Sequence, residues 1–259
     1  MTVGRIGFDL QDGIATLTVE NEARRNAMSF AMWQQLARHL ETIDADPAVR
    51  VTVLRGQGEQ AFVSGADISE FDALRSAPDA VAQYDLAVER AQRALQRLRC
   101  PVIAAISGIC YGGGIGLALS CDLRYAAPGA RFRMPAARLG LGYALDGLRR
   151  MSAVMGVAAA SELFYTARVY DAGQAERLGL VLSVHPDVFA WAAGVARDIA
   201  ANAPLTLAAA KLAFDTVLNQ PLQGCERVDA AVERCFASED YAEGRRAFGE
   251  KRTPRFLGR

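Results

Sequence analysis

The sequence predicts an α/β core followed by a helical C-terminal region. Strand and helix signals alternate along the first two thirds of the chain, and the strand signals stop after about Pro186. The chain has 259 residues, of which 51% are hydrophobic and 22% charged. It is therefore long and apolar enough to bury a substantial core.

The first elements surround a hairpin signal. IGFDL and IATLTVE flank Asp12-Gly13, a two-residue turn of the kind that joins antiparallel strands. Ser29 is placed to cap a helix that runs to about Ile43, in which apolar residues recur at three- and four-residue steps. VTVLRG at 51–56 then predicts a short strand that ends in glycine.

The later elements follow the same signals. Residues 79–99 carry the spacing of an amphipathic helix, and Pro101 ends it. PVIAAIS begins another strand, apolar throughout and therefore expected to be buried on both faces. The helical patterns after Pro186 cover 187–202, 205–219, 222–236 and 239–250.

Composition argues against several classes of protein. Lys plus Arg equals Asp plus Glu at 29 each, so no net field favours nucleic acid or an anionic membrane. No apolar run approaches the roughly 20 residues of a membrane span, and MTVGRIGFDLQDG lacks the layout of a signal peptide. The cysteines lack metal-type spacing, so we expect buried free thiols and a cytoplasmic location. They are Cys100, Cys110, Cys121, Cys225 and Cys235.

One stretch, SGICYGGGIGLALSCD at 107–122, has five glycines between Gly108 and Gly116. A strand, glycines and a helix in this order aim free backbone N–H groups at an anion. A phosphate loop would need a lysine, and there is none here. A dinucleotide fingerprint matches only in its first half, at Gly112 and Gly114, and Arg138 stands where an acid is needed.

A second stretch, AFVSGADI at 61–68, forms a pair with the first. Together they resemble the two signature loops of the crotonase (enoyl-CoA hydratase/isomerase) superfamily, F-x-x-G-x-D-[LI] and G-x-x-x-G-G-G-x-x-L-A-L-x-C-D. The resemblance continues through most of the chain, in order. The further matching segments are NEARRNAMS, ARFRMPAARLGLG, YTARVYDAGQAERLGLV and EGRRAFGEKRTPRFLGR.

This resemblance implies an α/β fold, the crotonase-like spiral of ββα units with a C-terminal helical region. We assign residues 1–186 to the spiral core with an acyl-CoA site, and 187–259 to a helical region for oligomerisation and site closure. The family implies homotrimers or hexamers, to which apolar faces in 205–236 are suited. It implies an acyl-CoA substrate, no cofactor beyond the CoA of that substrate, and no metal.

The family's chemistry implies an oxyanion hole made by the backbone N–H groups of Ala66 and Gly113. Arg24 and Arg25 match the segment that meets the CoA nucleotide, and Lys211 and Lys251 match segments near its 3′-phosphate. Arg138 is a candidate for a substrate carboxylate, with a surface role as the alternative. The full set of expected substrate-binding residues is Arg24, Arg25, Ser64, Asp67, Ile68, Gly112, Gly116, Ala136, Arg138, Lys211 and Lys251.

Asp67 and Asp122 recur in the two signature loops. Short acidic side chains in such places more often tie a loop together than carry out chemistry. We therefore expect structural roles for both, and likewise for His39 and His185, which match no site motif.

The usual catalytic carboxylates of the family are missing. Gly116 and Ala136 stand where hydratases of the family have glutamates, and Ala144 where related isomerases have an aspartate. Tyr143 and Asp146 are the titratable groups of the adjoining segment LGLGYALDGLRRM. We expect apolar neighbours to suit Asp146 to acid–base catalysis; helix N-capping is the alternative role.

The leading hypothesis is an enzyme that processes an acyl-CoA thioester through an enolate held in the oxyanion hole. Without the two glutamates, hydration of an enoyl-CoA is expected to be weak. The alternatives within this fold are a decarboxylase and a thioester hydrolase. A non-catalytic acyl-CoA-binding subunit is the alternative from another class, and nucleic-acid binding is disfavoured by the zero net charge.

Overall fold

The computed structural model describes residues 4–67, 78–218, 233, 236–252 and 254. By its contacts the chain divides into two units, one of Met1–Phe132 with Tyr170–Val217 and one of Arg133–Val169 with Leu218–Arg259. These units differ from the segments 1–186 and 187–259, which were assigned by role; that assignment stays a prediction. No helix among the described residues is long and apolar enough to cross a membrane.

The strands form two sheets. In chain order they are β1 (Arg5–Gln11), β2 (Ile14–Glu20), β3 (Val51–Gly56), β4 (Ala61–Val63), β5 (Val102–Ile106), β6 (Ile109–Tyr111), β7 (Leu123–Ala126), β8 (Arg131–Arg133), β9 (Tyr170–Asp171) and β10 (Ser183–Val184). One sheet has the order β1-β2-β3-β5-β7-β10 and the other β4-β6-β8-β9. From β2 to β10 the strands of the first sheet are parallel, as the α/β prediction requires.

The predicted hairpin is confirmed. Strands β1 and β2 pair antiparallel with Gln11 opposite Ile14. Asp12 and Gly13 between them have positive φ values of 53° and 76°, the conformation that a two-residue hairpin turn demands.

Helices occupy the predicted segments wherever the structure describes them. They are α1 (Phe30–Ala45), α2 (Pro78–Arg97), α3 (Gly113–Ser120), α4 (Leu145–Met155), α5 (Val157–Thr166), α6 (Ala172–Arg177), α7 (Val188–Ala200), α8 (Pro204–Leu218) and α9 (Glu239–Gly249). Of these, α5 and α6 are helices that the sequence analysis did not predict. Ser29 caps α1 by accepting a hydrogen bond from the Met32 N–H, as predicted. The helix expected over 222–236 falls almost entirely outside the described residues.

One hydrophobic cluster of the first unit lies where helix α7 covers the parallel sheet. All five residues of β5 are buried, as expected for a strand covered on both faces. Helix α7 presents Val188, Ala192 and Ala196 at four-residue spacing, and these pack with Val53 and Ile103 of the sheet. Small alanines at the contact allow the helix to lie close to the strands.

Lys211 of α8 is buried, which corrects its assignment to the CoA phosphate. Its ammonium group donates to Asp122 Oδ2 at 2.7 Å, to the Cys100 carbonyl at 2.9 Å and to the Leu95 carbonyl at 3.3 Å. An ammonium has three donors, so all of them are used inside the protein. Asp122 also accepts from the Val102 N–H at 2.7 Å, in keeping with the structural role expected for it.

The described cysteines are buried and free, as predicted. Cys100, Cys110 and Cys121 form no disulfide, whereas Cys225 and Cys235 lie outside the described residues. Burial raises the pKa of the Cys110 thiol well above its usual range, and neighbouring Cys121 adds to the effect. Because the thiolate is the reactive form, this thiol is chemically inert.

The second unit holds a short 3₁₀ helix, Ala136–Leu139, whose end packs against α9. Gly140 has a φ of 62°, and a Cβ there would lie 2.7 Å from the Asp240 carbonyl oxygen. Gly244 of α9 is equally close to the 3₁₀ helix, because a Cβ added at Gly244 would lie 2.4 Å from the Leu139 carbonyl oxygen. Glycine on both sides lets the two backbones touch and fixes the segment that leads to Tyr143.

Candidate functional site

One of the two signature loops, AFVSGADI at 61–68, is held in place by a third segment, residues 21–28. The Ser64 N–H donates to the Arg25 carbonyl at 3.2 Å and the Met28 N–H to the Gly65 carbonyl at 2.9 Å. The Asp67 N–H in turn donates to the Met28 carbonyl at 2.9 Å. Backbone hydrogen bonds thus fix the chain on both sides of Ala66.

A charge pair joins the same two segments. One terminal nitrogen of Arg24 donates to both carboxylate oxygens of Asp67, at 2.7 and 2.5 Å, and Asp67 is buried. Ser64, through its hydroxyl, donates to the Arg24 carbonyl at 3.3 Å. Asp67 therefore ties loops together as expected. The proposed contacts of Arg24 and exposed Arg25 with the CoA nucleotide stay predictions.

Asn26 is a residue of this site that the sequence reasoning missed. It is 1% exposed, and its side chain accepts from the Asn21 N–H at 3.0 Å. Its amide nitrogen donates to the carbonyls of Gln57 at 3.0 Å and Ala61 at 2.7 Å. Asn26 has a positive φ of 55°, which asparagine adopts more readily than most residues. That preference, inside NEARRNAMS, was the available signal.

The glycines at the start of helix α3 serve two backbone requirements. Gly112 has φ 50° and ψ −110°, which is open to glycine and strained for other residues. At Gly114 a Cβ would lie 2.3 Å from the Val63 carbonyl oxygen, so a side chain would collide with strand β4. The bare backbone lets α3 lie directly against β4.

This close packing brings the Gly113 and Ala66 N–H groups into the same neighbourhood. A Cβ on Gly113 would lie 3.9 Å from the Gly65 carbonyl carbon, the atom bonded to the Ala66 nitrogen. Within the part of the chain that the structure describes, neither N–H donates a hydrogen bond, and both residues are half-exposed. Gly113 is also the first residue of α3, where the helix dipole adds positive potential.

Trp33 forms the support beneath these donors. It is 1% exposed, and its Cζ2 would lie 3.4 Å from a Cβ on Gly113. Its indole N–H donates to the Tyr84 hydroxyl at 3.0 Å, which is likewise buried. A rigid aromatic pair thus holds the position of the Gly113 backbone.

The remaining predicted binding residues differ in their exposure to solvent. Gly116 is buried on α3, with the Gln92 side chain lying against it. Ala136 is buried and Arg138 is exposed. Lys251 is exposed, and its phosphate contact stays a prediction. Ile68 lies outside the described residues.

The environment expected for Asp146 is wrong. Its side chain is 62% exposed and lies 3.3 Å from the guanidinium of Arg149, one helical turn later. It does not cap helix α4 either, because the N-cap position belongs to Ala144. Position 146 is on the first turn, where a carboxylate faces solvent and the positive end of the helix dipole.

Tyr143 has the apolar surroundings that Asp146 lacks. Its ring packs edge-on against Phe164 with centroids 5.5 Å apart, and Gly147 leaves the room in which the ring lies. Desolvation raises the pKa of the Tyr143 hydroxyl to about 12. At neutral pH this group is a hydrogen-bond donor and holds its proton.

Both histidines have structural partners. His39 Nε2 lies 3.2 Å from the Ile6 carbonyl oxygen. The His185 ring stacks on Trp191 with centroids 3.7 Å apart, and its Nε2 lies 2.8 Å from Ser183 Oγ. Neither is near the donors of Ala66 and Gly113 in the contacts that the described residues make.

Comparison with known proteins shows which family has this sequence and fold. The profile of the enoyl-CoA hydratase/isomerase family matches residues 9–259. The chain belongs to the enoyl-CoA hydratase/isomerase family. The short-chain-enoyl-CoA hydratase of Clostridium acetobutylicum is 30% identical over 255 residues, 97% of each chain.

Solved structures agree on the crotonase fold. The crystal structure of an enoyl-CoA hydratase/carnithine racemase from Magnetospirillum magneticum is 39% identical, with a TM-score of 0.80, covering 98% of this chain and 96% of that one. A methylmalonyl-CoA decarboxylase in complex with 2-nitronate-propionyl-CoA is 27% identical, with a TM-score of 0.89 and 98% coverage of both chains. As a member of this family, the chain is an enzyme of hydratase/isomerase type that processes acyl-CoA.

The titration of Tyr143 gives the first prediction. A free tyrosine ionises near pH 10, whereas the pKa of Tyr143 is about 12. The ultraviolet difference spectrum between the wild type and Tyr143→Phe is therefore expected to show tyrosinate only as the pH approaches 12, on protein that is still folded by circular dichroism.

Tyr165→Phe removes an exposed hydroxyl from the same unit and serves as the control for loss of any tyrosine. A tyrosinate step near pH 10 in the Tyr143→Phe difference spectrum would show that this hydroxyl is hydrated and would contradict the assignment.

Proposed function

We propose that this enzyme converts an acyl-CoA thioester through an enolate whose oxygen is bound by the N–H groups of Ala66 and Gly113. The observation that carries the proposal is the pair of neighbouring N–H groups, on two half-exposed residues, that have no acceptor among the described residues. A thioester oxygen that accepts both hydrogen bonds gains negative charge as the enolate forms. Donors that are already fixed in place stabilise that charge without reorganising.

Of the two titratable side chains in the segment LGLGYALDGLRRM, Tyr143 has surroundings that suit a proton donor better than those of Asp146. Tyr143 retains its proton at neutral pH, because desolvation raises its pKa to about 12, and it lies in the segment that resembles the family's acyl-binding turn. Asp146 is solvated and paired with Arg149. Positions 116, 136 and 144 carry no carboxylate, so the two-glutamate addition of water is not proposed here.

Removal of one donor tests the oxyanion hole. Gly113→Pro deletes the N–H at the first helical position, where proline is tolerated. We expect the conversion of malonyl-CoA to acetyl-CoA, in which loss of CO₂ forms the enolate without a base, to slow by about 10²- to 10³-fold. The dissociation constant of butyryl-CoA should change only a few-fold, because the lost interaction strengthens as the enolate forms.

Gly113→Ala is the matched control, since it adds the same Cβ beside Trp33 and keeps the N–H. Ala66→Pro removes the other donor, and the loop hydrogen bonds on either side of Ala66 do not use that N–H. Equal loss of malonyl-CoA decarboxylation in Gly113→Pro and Gly113→Ala would assign the effect to packing and would refute the proposal.

Decarboxylation of a carboxyacyl-CoA is the second candidate reaction. Two observations favour it: the decarboxylase structure superposes with a TM-score of 0.89, against 0.80 for the hydratase/racemase, and positions 116, 136 and 144 are free of acids. In this reaction the bond between the α carbon and the carboxylate breaks and CO₂ leaves. The electron pair forms the enolate, and a proton from solvent then adds to the α carbon.

A substrate panel separates the reactions. We expect crotonyl-CoA hydration to be at least 10²-fold slower than the median enzyme turnover of about 10 per second, because no glutamate pair is present to handle water. Malonyl-CoA should be converted to acetyl-CoA faster than crotonyl-CoA is hydrated, as followed by mass spectrometry.

Release of free CoA would indicate a thioester hydrolase, and binding of every ester without any reaction would indicate an acyl-CoA-binding subunit. Crotonyl-CoA hydration at 10 to 10³ per second would overturn the assignment.

We propose a homotrimer or a pair of trimers, in a reducing cytoplasm and with no cofactor beyond the CoA of the substrate. The support for assembly is a set of exposed apolar side chains on α8, namely Leu205 (83%), Leu212 (69%) and Phe214 (70%). Burial of such side chains between copies of the chain contributes roughly 1.5–3 kcal/mol each.

Light scattering on a sizing column tests this assembly. The wild type is expected to elute with three or six times the mass of one chain, and Phe214→Glu to shift the population to smaller species. Leu86→Glu, at a position that is 65% exposed on α2, is the control. A wild-type mass equal to one chain would refute the proposal.

A further inference from the structure

The carboxamide of Gln92 lies directly against the backbone of helix α3 at Gly116. A Cβ on Gly116 would lie 2.5 Å from Gln92 Nε2, 3.3 Å from its Cδ and 3.6 Å from its Oε1. Glycine at this position therefore leaves the volume that the carboxamide occupies. Any larger residue at 116 would displace it.

Two glutamines lie one turn apart on α2 and differ in their bonding. Gln96 donates to the Ser120 hydroxyl at 3.2 Å, and Ser120 donates to the Gly116 carbonyl at 2.8 Å, so Gln96 belongs to the internal bonding of α3. The Gln92 carboxamide is half-buried and makes no hydrogen bond with any residue that the structure describes. A half-buried amide that lacks a partner has donors and acceptors to offer to a ligand.

The position of Gln92 relative to the oxyanion donors follows from helix geometry. Gly116 comes three residues after Gly113, so the two share one face of α3 about 5–6 Å apart. A ligand whose thioester oxygen is bound at Gly113 would place the far end of a short acyl chain within reach of the carboxamide. A ligand bound by the N–H groups of Ala66 and Gly113 would therefore lie beside the Gln92 amide.

Charge indicates which acyl chain fits. Position 116 carries no acid, and Glu89, one turn before Gln92 on α2, is paired with Arg93. A neutral amide donates to a carboxylate without the repulsion that an acidic side chain would cause.

We propose that Gln92 is a specificity-determining residue that donates a hydrogen bond to a carboxylate on the short acyl chain of the substrate. This inference rests on the proposed function and narrows its substrate class to carboxyacyl-CoA thioesters.

Two esters with the same number of acyl carbons test the inference. Succinyl-CoA ends in a carboxylate where butyryl-CoA ends in a methyl group, so the ratio of their dissociation constants isolates the contribution of that group. The ratio is measured by titration calorimetry at neutral pH. We expect the wild type to bind succinyl-CoA at least 10-fold more tightly than butyryl-CoA, as suits a hydrogen bond to a charged group.

Three variants assign that preference to the carboxamide. Gln92→Glu keeps the shape and adds a negative charge, and should reverse the preference. Gln92→Met removes the donor and should abolish it. Gly116→Ala pushes the carboxamide away while favouring the helix, and should reproduce the effect of Gln92→Met on a stable fold. Gln96→Met is the control on the same helix and should leave both dissociation constants unchanged.

The outcomes distinguish a failure of the proposed function from a failure of the role assigned to Gln92. If neither ester binds to the wild type, the proposed function fails, and the inference fails with it. If butyryl-CoA binds as tightly as succinyl-CoA, only the inference fails. Equal weakening of both esters by Gln92→Met and Gly116→Ala would make Gln92 a packing residue and would also overturn it.

Discussion

The backbone of helix α3 approaches strand β4 so closely that a Cβ at Gly114 would lie 2.3 Å from the Val63 carbonyl oxygen. The donor arrangement depends on this contact. It places the N-terminus of α3 beside the loop that follows β4, and so places the Gly113 N–H near the Ala66 N–H. Gly112, with ψ of −110°, allows the chain to turn into the helix at that spot. The conformational entropy lost at these glycines, roughly 0.5–1 kcal/mol each in a helix, is the cost of the close approach.

The segment 21–28 holds the other side of the arrangement. Three backbone hydrogen bonds, the Arg24–Asp67 pair and the buried side chain of Asn26 connect it to the loops around Ala66. Each neutral hydrogen bond makes only a small net contribution to folding stability, about 0.5–1.5 kcal/mol. Together these bonds restrain the Ala66 N–H in one direction. An oxyanion hole needs that restraint, because a donor that must first turn toward the charge loses part of its effect.

Local patterns in the sequence predicted the elements that depend on neighbours along the chain. The Asp12-Gly13 hairpin, the Ser29 cap and the fully apolar strand β5 are each set by a few adjacent residues. The two signature loops were recognisable because close backbone approach restricts their residues to glycine and small side chains. These features account for most of the fold and for the two donors.

Contacts between distant segments were not predictable in this way. Lys211 meets Asp122 across 89 positions of sequence, and no local pattern distinguishes a buried lysine from a surface one on an amphipathic helix. Gln92 lies against Gly116 because α2 packs on α3, and the sequence shows only that position 116 lacks a side chain. The apolar environment predicted for Asp146 is wrong because residues adjacent in sequence point to different sides of a helix. The Asp146 carboxylate therefore faces solvent and Arg149 although its sequence neighbours are apolar.

The groups proposed to act on the substrate share one electrostatic property: all are neutral dipoles. The two backbone amides and the Gln92 carboxamide do not titrate, so they keep the same charge across the neutral range. A site with catalytic carboxylates repels an anionic acyl chain and changes its charge with pH. A site of fixed dipoles avoids both effects. It can therefore accept a substrate that carries its own carboxylate and still stabilise the negative charge that develops on the thioester oxygen.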